Sequence, residues 1–373
     1  MRKERKFMSK VKCRRIINKM NIRKSVALGL ILGLILLTMS GCGKKQEAED
    51  DVSTQPELIT VGFSQVGAES DWRVANTESF RKTMVKGNGV YMMYDDAQQK
   101  QDKQIIAIRN FIQQEVDYIV LAPVMETGWD TVLQEASDAD IPVIVVDRMV
   151  DVEDTSLYKA WIGSDFKREG KIACEWLDRF TTAKGIRPED INIVDIQGTE
   201  GATSQIGRTN GLTEAASKHG WNILAMESAD YAQTKGKEVV AKLLAQFDNI
   251  NVVYCENDNE AIGAIEAIEE AGKKPGTDIE NGDILVISFD AAHSGLNKVL
   301  EGKIALDVEC NPLQGEEVLN VIKAIEEGKD YNKYTYINES IFTLDDTVKS
   351  VNVDDKNYDI TKVTPDIIES REY

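Results

Sequence analysis

The run Ile141-Pro142-Val143-Ile144-Val145-Val146 constrains this chain more than any other stretch, because it is apolar and rich in β-branched residues without polar alternation. Such a run predicts a strand buried on both faces, as in parallel sheets covered by helices. It ends in Asp147-Arg148, a carboxylate beside a guanidinium. Two readings fit that ending. One is a surface ion pair at a strand end, contributing about 0–1 kcal/mol. The other is a pair of charges projecting into the crevice beyond the carboxyl ends of parallel strands, where open α/β sheets bind ligands.

The pattern recurs. Strands are predicted over Leu58 to Gln65, Tyr91 to Asp95, Tyr118 to Pro123 and Ile141 to Arg148, separated by helical patterns. In one of these helices Ile105, Ile108, Phe111 and Ile112 fall at helical spacing on one side. A second set has strands at Ile191 to Gln197, Ile223 to Met226, Val252 to Glu256 and Ile284 to Asp290. Its helices are predicted at Phe166 to Phe180, Thr203 to His219, Thr234 to Phe247 and Glu260 to Ala271. Alternating strands and helices mean parallel sheets with right-handed crossovers. Without an N-terminal signal over residues 1–41, the mature length of roughly 330 residues exceeds what one hydrophobic core usually supports, so the fold class is α/β with two Rossmann-like parallel-sheet lobes. No linker rich in Pro and Gly divides them; Met149 to Leu157, Asp290 to Ser294 and Val308 to Pro312 read as crossings of a hinge.

The N-terminus reads as an address. Met1 to Lys24 holds eleven Lys or Arg and one acidic residue, followed by the apolar run Val26 to Met39 and by Ser40-Gly41-Cys42. A basic region, a short apolar region and small residues before a cysteine describe a lipoprotein signal over residues 1–41, with Met20 to Gly41 sufficient by itself. An uncleaved anchor is the alternative, although a stable span needs about 20 apolar residues. Cleavage would leave Cys42 as the lipidated first residue and residues 42–57 as an acidic tether. It would also take the net charge from −19 to −29, which disfavours nucleic acid and anionic lipid as partners. Cys174, Cys255 and Cys310 are too widely spaced for a disulfide framework or a metal site and are read as buried thiols, with one pairing left open. His219 and His293 are read as structural or solvated.

Polar and aromatic residues recur at the strand ends: Glu69-Ser70-Asp71-Trp72-Arg73, Asp147-Arg148, Gln197 with Arg208, Asp230-Tyr231, Glu256-Asn257-Asp258 and Phe289-Asp290. Their chemistry points to a sugar. An indole lies against the C–H face of a ring, while carboxylates and guanidiniums accept from and donate to its hydroxyls. Each residue also has a plainer reading. Trp72 suits core packing, Arg73 a solvated helix face, Arg208 a surface pair, Tyr231 local packing, and Asn257 and Asp290 suit helix caps.

Gly62-Phe63-Ser64-Gln65 with Trp72-Arg73, Ala122-Pro123 with Thr127-Gly128-Trp129, Ile141-Pro142-Val143 with Asp147-Arg148, Gln197-Gly198-Thr199, Gly201 through Arg208, Lys235 through Val239, Asn257-Asp258 and Ile262 through Ile265 resemble type I solute-binding proteins of bacterial ABC sugar importers. Within that family the match is to the galactofuranose-binding branch, from Leu58 to about Val348. The resemblance implies a type I periplasmic binding protein fold, with residues 58–164 and about 310–342 in one lobe and 165–309 and about 343–373 in the other. It implies that Trp72 and Arg73 stack on and contact the ligand, that Asp147 and Arg148 clamp its hydroxyls, and that Arg208, Asn257, Asp290 and Tyr231 close the ring from the other lobe. Glu309 is carried as a further contact, beside Cys310 where ribose-binding relatives place Gln.

The resulting expectation is a monomeric receptor on the outer face of a bacterial, Gram-positive cell membrane, anchored through Cys42. It takes a monosaccharide to an ABC permease and its ATPase, without cofactor or metal. A sensor handing its closed form to a histidine kinase or chemoreceptor is the alternative. An enzyme is disfavoured, because no phosphate-cradling loop, nucleophile elbow or metal-spaced His or Cys is present, although two carboxylates could work as a glycosidase pair. Asp330 to Lys333 lacks the turn glycine and terminal acid of a calcium loop.

Overall fold

A computed structural model describes residues 58–373. The signal, the lipidated Cys42 and the tether lie outside the described residues. The chain begins with β1 (Ile59–Gln65), α1 (Asp71–Thr83), β2 (Val90–Asp96), α2 (Gln101–Gln113), β3 (Tyr118–Leu121), α3 (Asp130–Asp138), β4 (Val143–Val146) and β5 (Ala160–Gly163). It continues through α4 (Phe166–Ala183), β6 (Asn192–Gln197), α5 (Thr203–His219), β7 (Asn222–Ser228), α6 (Gln233–Gln246), β8 (Val252–Cys255), α7 (Asp258–Glu270), β9 (Leu285–Asp290), α8 (His293–Leu300) and β10 (Leu306–Glu309). Then come α9 (Gly315–Glu327), β11 (Tyr334–Tyr336), β12 (Ile341–Thr343), the hairpin β13 (Ser350–Val353) and β14 (Lys356–Asp359), β15 (Thr361–Lys362) and α10 (Pro365–Ser370).

Two sheets result. The six-stranded sheet has the order β11-β5-β4-β3-β1-β2 and is parallel throughout. The seven-stranded sheet has the order β15-β12-β10-β9-β8-β6-β7, with β12 antiparallel to β10. Each has apolar clusters on both faces, as uninterrupted strands such as β4 require: all four of its residues are fully buried.

The chain passes between the lobes three times: after Gly163, between Glu309 and Gly315, and between Tyr336 and Ile341. Two expected crossings are corrected by this topology. Met149 to Leu157 leads from β4 to β5 within the first sheet, and Asp290 to Ser294 leads from β9 to α8 within the second lobe. Residues 341 and 342, expected in the first lobe, already pair in the second sheet.

Close helix packing prepares the site. A Cβ at Gly170 of α4 would lie 2.8 Å from the carbonyl oxygen of Arg208, and one at Gly211 of α5 would lie 2.7 Å from the Gly170 carbonyl carbon. The two helices therefore meet backbone to backbone, and Glu169 comes to lie beside Arg208.

Candidate functional site

A narrow cleft between the lobes is lined by residues of both. Its first wall comes from α1 and the end of β4. Ser70 caps α1 by accepting from the Arg73 amide at 3.2 Å, which fixes the first turn and aims Trp72 and Arg73 inward. Asp147 follows β4 in left-handed backbone, φ +60°, a conformation that Asp tolerates better than most residues.

Four buried charges form that wall. Arg73 donates to Asp147 Oδ2 at 2.7 Å, to Glu69 Oε1 at 3.0 Å and to Gln65 Oε1 at 3.2 Å. Burial disfavours the guanidinium charge, but Asp147 and Glu69 more than offset it and raise the pKa of Arg73. Arg148 donates to the Val124 carbonyl at 2.8 Å and stands 3.9 Å from both Glu69 and Asp147. The plain readings of Arg73 as a solvated residue and of Asp147-Arg148 as a surface pair fail, since these side chains are at most 4 % exposed.

The second wall is built around Arg208. Its Nε donates to Glu169 Oε2 at 2.8 Å, one Nη donates to the Glu256 carbonyl, and the other lies 3.7 Å from Asp290. Asp290 sits at φ +107°, a strained position at the end of β9. Its burial pushes the carboxyl well above the usual range, with Arg208 only partly opposing. It caps no helix: α8 is capped by Ala292. Asn257 does cap α7, accepting from the Glu260 amide at 2.8 Å, and also lines the cavity while donating to the Tyr231 carbonyl at 3.2 Å. Tyr231, at φ +61°, lies over Gly198, where a Cβ would come within 1.9 Å of its ring; this accounts for the glycine in Gln197-Gly198-Thr199. The Tyr231 hydroxyl pairs with Ser204 at 2.6 Å, and Arg148 lies over its ring at 5.2 Å.

Trp72 joins the walls. Its ring packs with Phe166 and Cys310, and its Nε1 donates to the Cys310 carbonyl at 2.5 Å. At the rim, the Asp71 amide donates to Asn259 at 3.0 Å and Ser294 donates to the Asp71 carboxylate at 2.6 Å. The lobes are thus closed.

Eight of the nine expected residues line this cavity: Trp72, Arg73, Asp147, Arg148, Arg208, Tyr231, Asn257 and Asp290. Glu309 does not. It accepts from Arg371 at 2.7 Å, from the Tyr373 hydroxyl, and from the Ser340 amide at 2.7 Å. Neighbouring residues at a strand end face opposite ways, and Cys310 takes the inward direction. The cavity adds Glu69, Ser70, Phe166, Ser204 and Cys310. The spacing of Glu69 to Arg73, one helical turn, was a usable signal; Phe166 and Ser204 carry none in the sequence. Cys174, Cys255 and Cys310 are buried free thiols. His219 lies 2.8 Å from Asp178, and His293 bonds the Ile368 carbonyl at 2.9 Å, both away from the cavity.

Three buried polar atoms of the lining residues have no hydrogen-bond partner: Arg148 Nε, one Nη of Arg208, and Glu69 Oε2. Two donors and an acceptor beside the faces of Trp72 and Phe166 suit a small polyhydroxylated ring.

Comparison with known proteins agrees with this geometry. Residues 61–330 match the periplasmic binding protein domain family. The chain is 38% identical over 296 residues to the galactofuranose-binding protein YtfQ of Escherichia coli K12, covering 78% of this chain and 89% of that protein. A Mycobacterium smegmatis protein solved with β-D-fucofuranose is 43% identical, with a TM-score of 0.72 over 77% of this chain and 91% of that one. The binding component of an arabinose ABC transporter from Shewanella sp. ANA-3, bound to α- and β-L-arabinofuranose, is 38% identical, with a TM-score of 0.71 over 76% and 91% of the respective chains. Two parallel-sheet lobes, three crossings and a cleft of buried charges are accounted for together: this chain belongs to the periplasmic binding protein family and has its type I fold.

Proposed function

We propose that the chain captures a monosaccharide in its furanose form between the two lobes and delivers it to an ABC transporter permease driven by its ATPase. The observation that carries this reading is the convergence of Arg148 Nε, an Arg208 Nη and Glu69 Oε2, all buried and without hydrogen-bond partners, on a cavity walled by Trp72 and Phe166. A ligand bridging both lobes favours the closed state because only that state offers both walls. Galactofuranose and related furanoses are the preferred cargo, as the names of the relatives suggest. The bodies that move are residues 58–164 with about 310–340 and 165–309 with about 341–373, and the receptor acts as a monomer. It is held at the outer face of the cell membrane by lipid on Cys42, with residues 42–57 as tether. No step of this cycle requires catalysis.

The test is a thermal-shift screen with D-galactose, L-arabinose, D-fucose, D-ribose, D-glucose and D-xylose, followed by calorimetry of any hit. A sugar at about a hundred times its Kd should stabilise the protein by about 2.7 kcal/mol. Silence from every sugar would overturn the cargo. For the anchor, Cys42→Ala should release the protein from membranes; retention would remove lipid from the account.

A further inference from the structure

The three crossings between the lobes meet at one cluster behind the binding site. Ser164 lies on the first crossing, Cys310 on the second and Glu339 on the third. The Ser164 hydroxyl is 3.3 Å from the Cys310 sulfur and hydrogen-bonds the Glu339 carboxyl. Glu169 of α4 joins them: carboxylate oxygens of Glu169 and Glu339 and the Cys310 sulfur all lie within 4.8 Å of one another. Glu169 is also the group that holds Arg208 at 2.8 Å in the cleft. The cluster therefore touches the hinge on one side and the ligand wall on the other.

The two carboxyls are incompletely satisfied. Oε1 of Glu169 and Oε1 of Glu339 are each buried without a hydrogen-bond partner. Two buried carboxylates this close repel one another, and one proton held by the pair relieves that repulsion. The surroundings favour a proton over a metal ion, because Arg208 and Arg168 already place positive charge beside the pair. The other groups facing it are Asp165 on α4, Asp290 at the end of β9, and Cys310. A cavity lined also by Lys356 and Tyr358 of β14 reaches the pair and gives it access to solvent.

We propose that Glu169 and Glu339 share one proton in the closed form, so that closing the lobes over a ligand takes a proton from solvent and opening returns it. The proposal rests on the reading of the chain as a ligand-closing receptor. Glu339 is carried on a crossing, and crossings absorb the backbone rotation of hinge closure, so the pair parts when the lobes open. Burial, the leading cause, holds both carboxyls above their ordinary range in the closed form, with Arg208 opposing it at each. Glu169 is then a positioning residue for Arg208, and Glu339 is its proton partner.

The test is calorimetric titration of the purified protein with L-arabinose and D-galactose, in buffers of different ionisation enthalpy, between about pH 5.5 and 8.5. Wild type should take up close to one more proton per sugar bound than Glu339→Gln near neutral pH. Its affinity should weaken as pH rises, by up to about tenfold per pH unit. Glu339→Gln donates an amide hydrogen in place of the proton, so its affinity should change little with pH from this source and exceed wild type at about pH 8.5. Equal proton counts in the two proteins would overturn the proposal. A second arm needs no sugar: with the rim contact of Ser294 and Asp71 replaced by a disulfide (Asp71→Cys with Ser294→Cys) that staples the lobes shut, the Tm should fall more steeply with pH than that of the same stapled protein carrying Glu339→Gln, and parallel slopes would likewise overturn it. If neither sugar binds, the choice of cargo is at fault, and this second arm still decides the proton.

Discussion

The first wall of the cleft sets two arginines, Arg73 and Arg148, against two carboxylates, Glu69 and Asp147, whereas the second sets Arg208 alone between Glu169 and Asp290. Behind Arg208 lie further buried acids: Asp195, Glu256, Asp258, Glu260 and Asp307. Burial pushes Asp195 up to about 7 and Asp258 up to about 6, and holds Glu256, Glu260 and Asp307 well above their ordinary range. The first wall pairs its charges one for one, whereas the second holds more acids than cations. Similar residue types at similar strand ends thus give one wall balanced by counter-ions and another whose charge balance shifts with pH.

The largest effect should come from breaking the weaker balance. Arg208→Ala leaves Glu169 and Asp290 facing each other without a cation, a loss of about 3–5 kcal/mol at pH 8, together with sugar affinity. Arg73→Ala should cost less stability, because Arg148 remains 3.9 Å from both carboxylates it leaves behind. Chemical denaturation of both variants at pH 8 and pH 5 reads the difference, and the Arg208→Ala deficit should shrink at pH 5 as Glu169 and Asp290 take protons. Equal deficits in the two variants at both pH values would dissolve the contrast.

The next effect belongs to the unmutated protein. For Asp195 and Asp258 the folded-state pKa lies above the ordinary 3.8, so the folded chain binds more protons than the unfolded one. Their contribution is present in full below about pH 4 and is lost as pH rises through about 6 to 7. The Tm should therefore fall by roughly 5 °C or more between pH 5 and pH 8. Asp195→Asn should flatten that fall, and a Tm unchanged across this range would show the second wall to be as balanced as the first.

Much of this site was legible because a charged residue at the end of a doubly buried strand is conspicuous: Asp147 and Arg148 follow four fully buried residues. The second wall was harder to read. Glu169 stands in Lys167-Arg168-Glu169, which reads as a solvated helix face, and only the contact of Gly170 with Gly211 turns it inward against Arg208. The acids behind it look like ordinary caps and strand ends until burial is known. The hinge was misread at Met149 to Leu157 because an acidic, irregular stretch resembles a crossing, whereas here it serves β5 of the same sheet.

A smaller effect distinguishes packing from charge. Trp72 is 4% exposed and spans the walls through its bond to the Cys310 carbonyl. Trp72→Ala should weaken sugar binding by about tenfold, or about 1.4 kcal/mol, equally at pH 5 and pH 8. Trp72→Phe keeps an apolar face and should recover part of that loss. A pH-dependent loss in Trp72→Ala would place the proton linkage in the joint between the walls and not in the second wall.

The smallest effect on binding should come from Glu309, whose sequence position invited a role that its direction denies. Its two oxygens accept from Arg371, Tyr373 and Ser340, tying the last residues of the chain to the end of β10. Glu309→Gln keeps the shape but removes the charge that pairs with Arg371, so the Tm should drop by the equivalent of about 1.5–3 kcal/mol. Sugar affinity should stay within about twofold, since Cys310 and not Glu309 lines the cavity. An affinity loss larger than the stability loss would mean that the C-terminal tie sets the position of the second crossing, and with it the Cys310 carbonyl to which Trp72 is bound. The comparison of the two walls would then have to include the hinge as a third region.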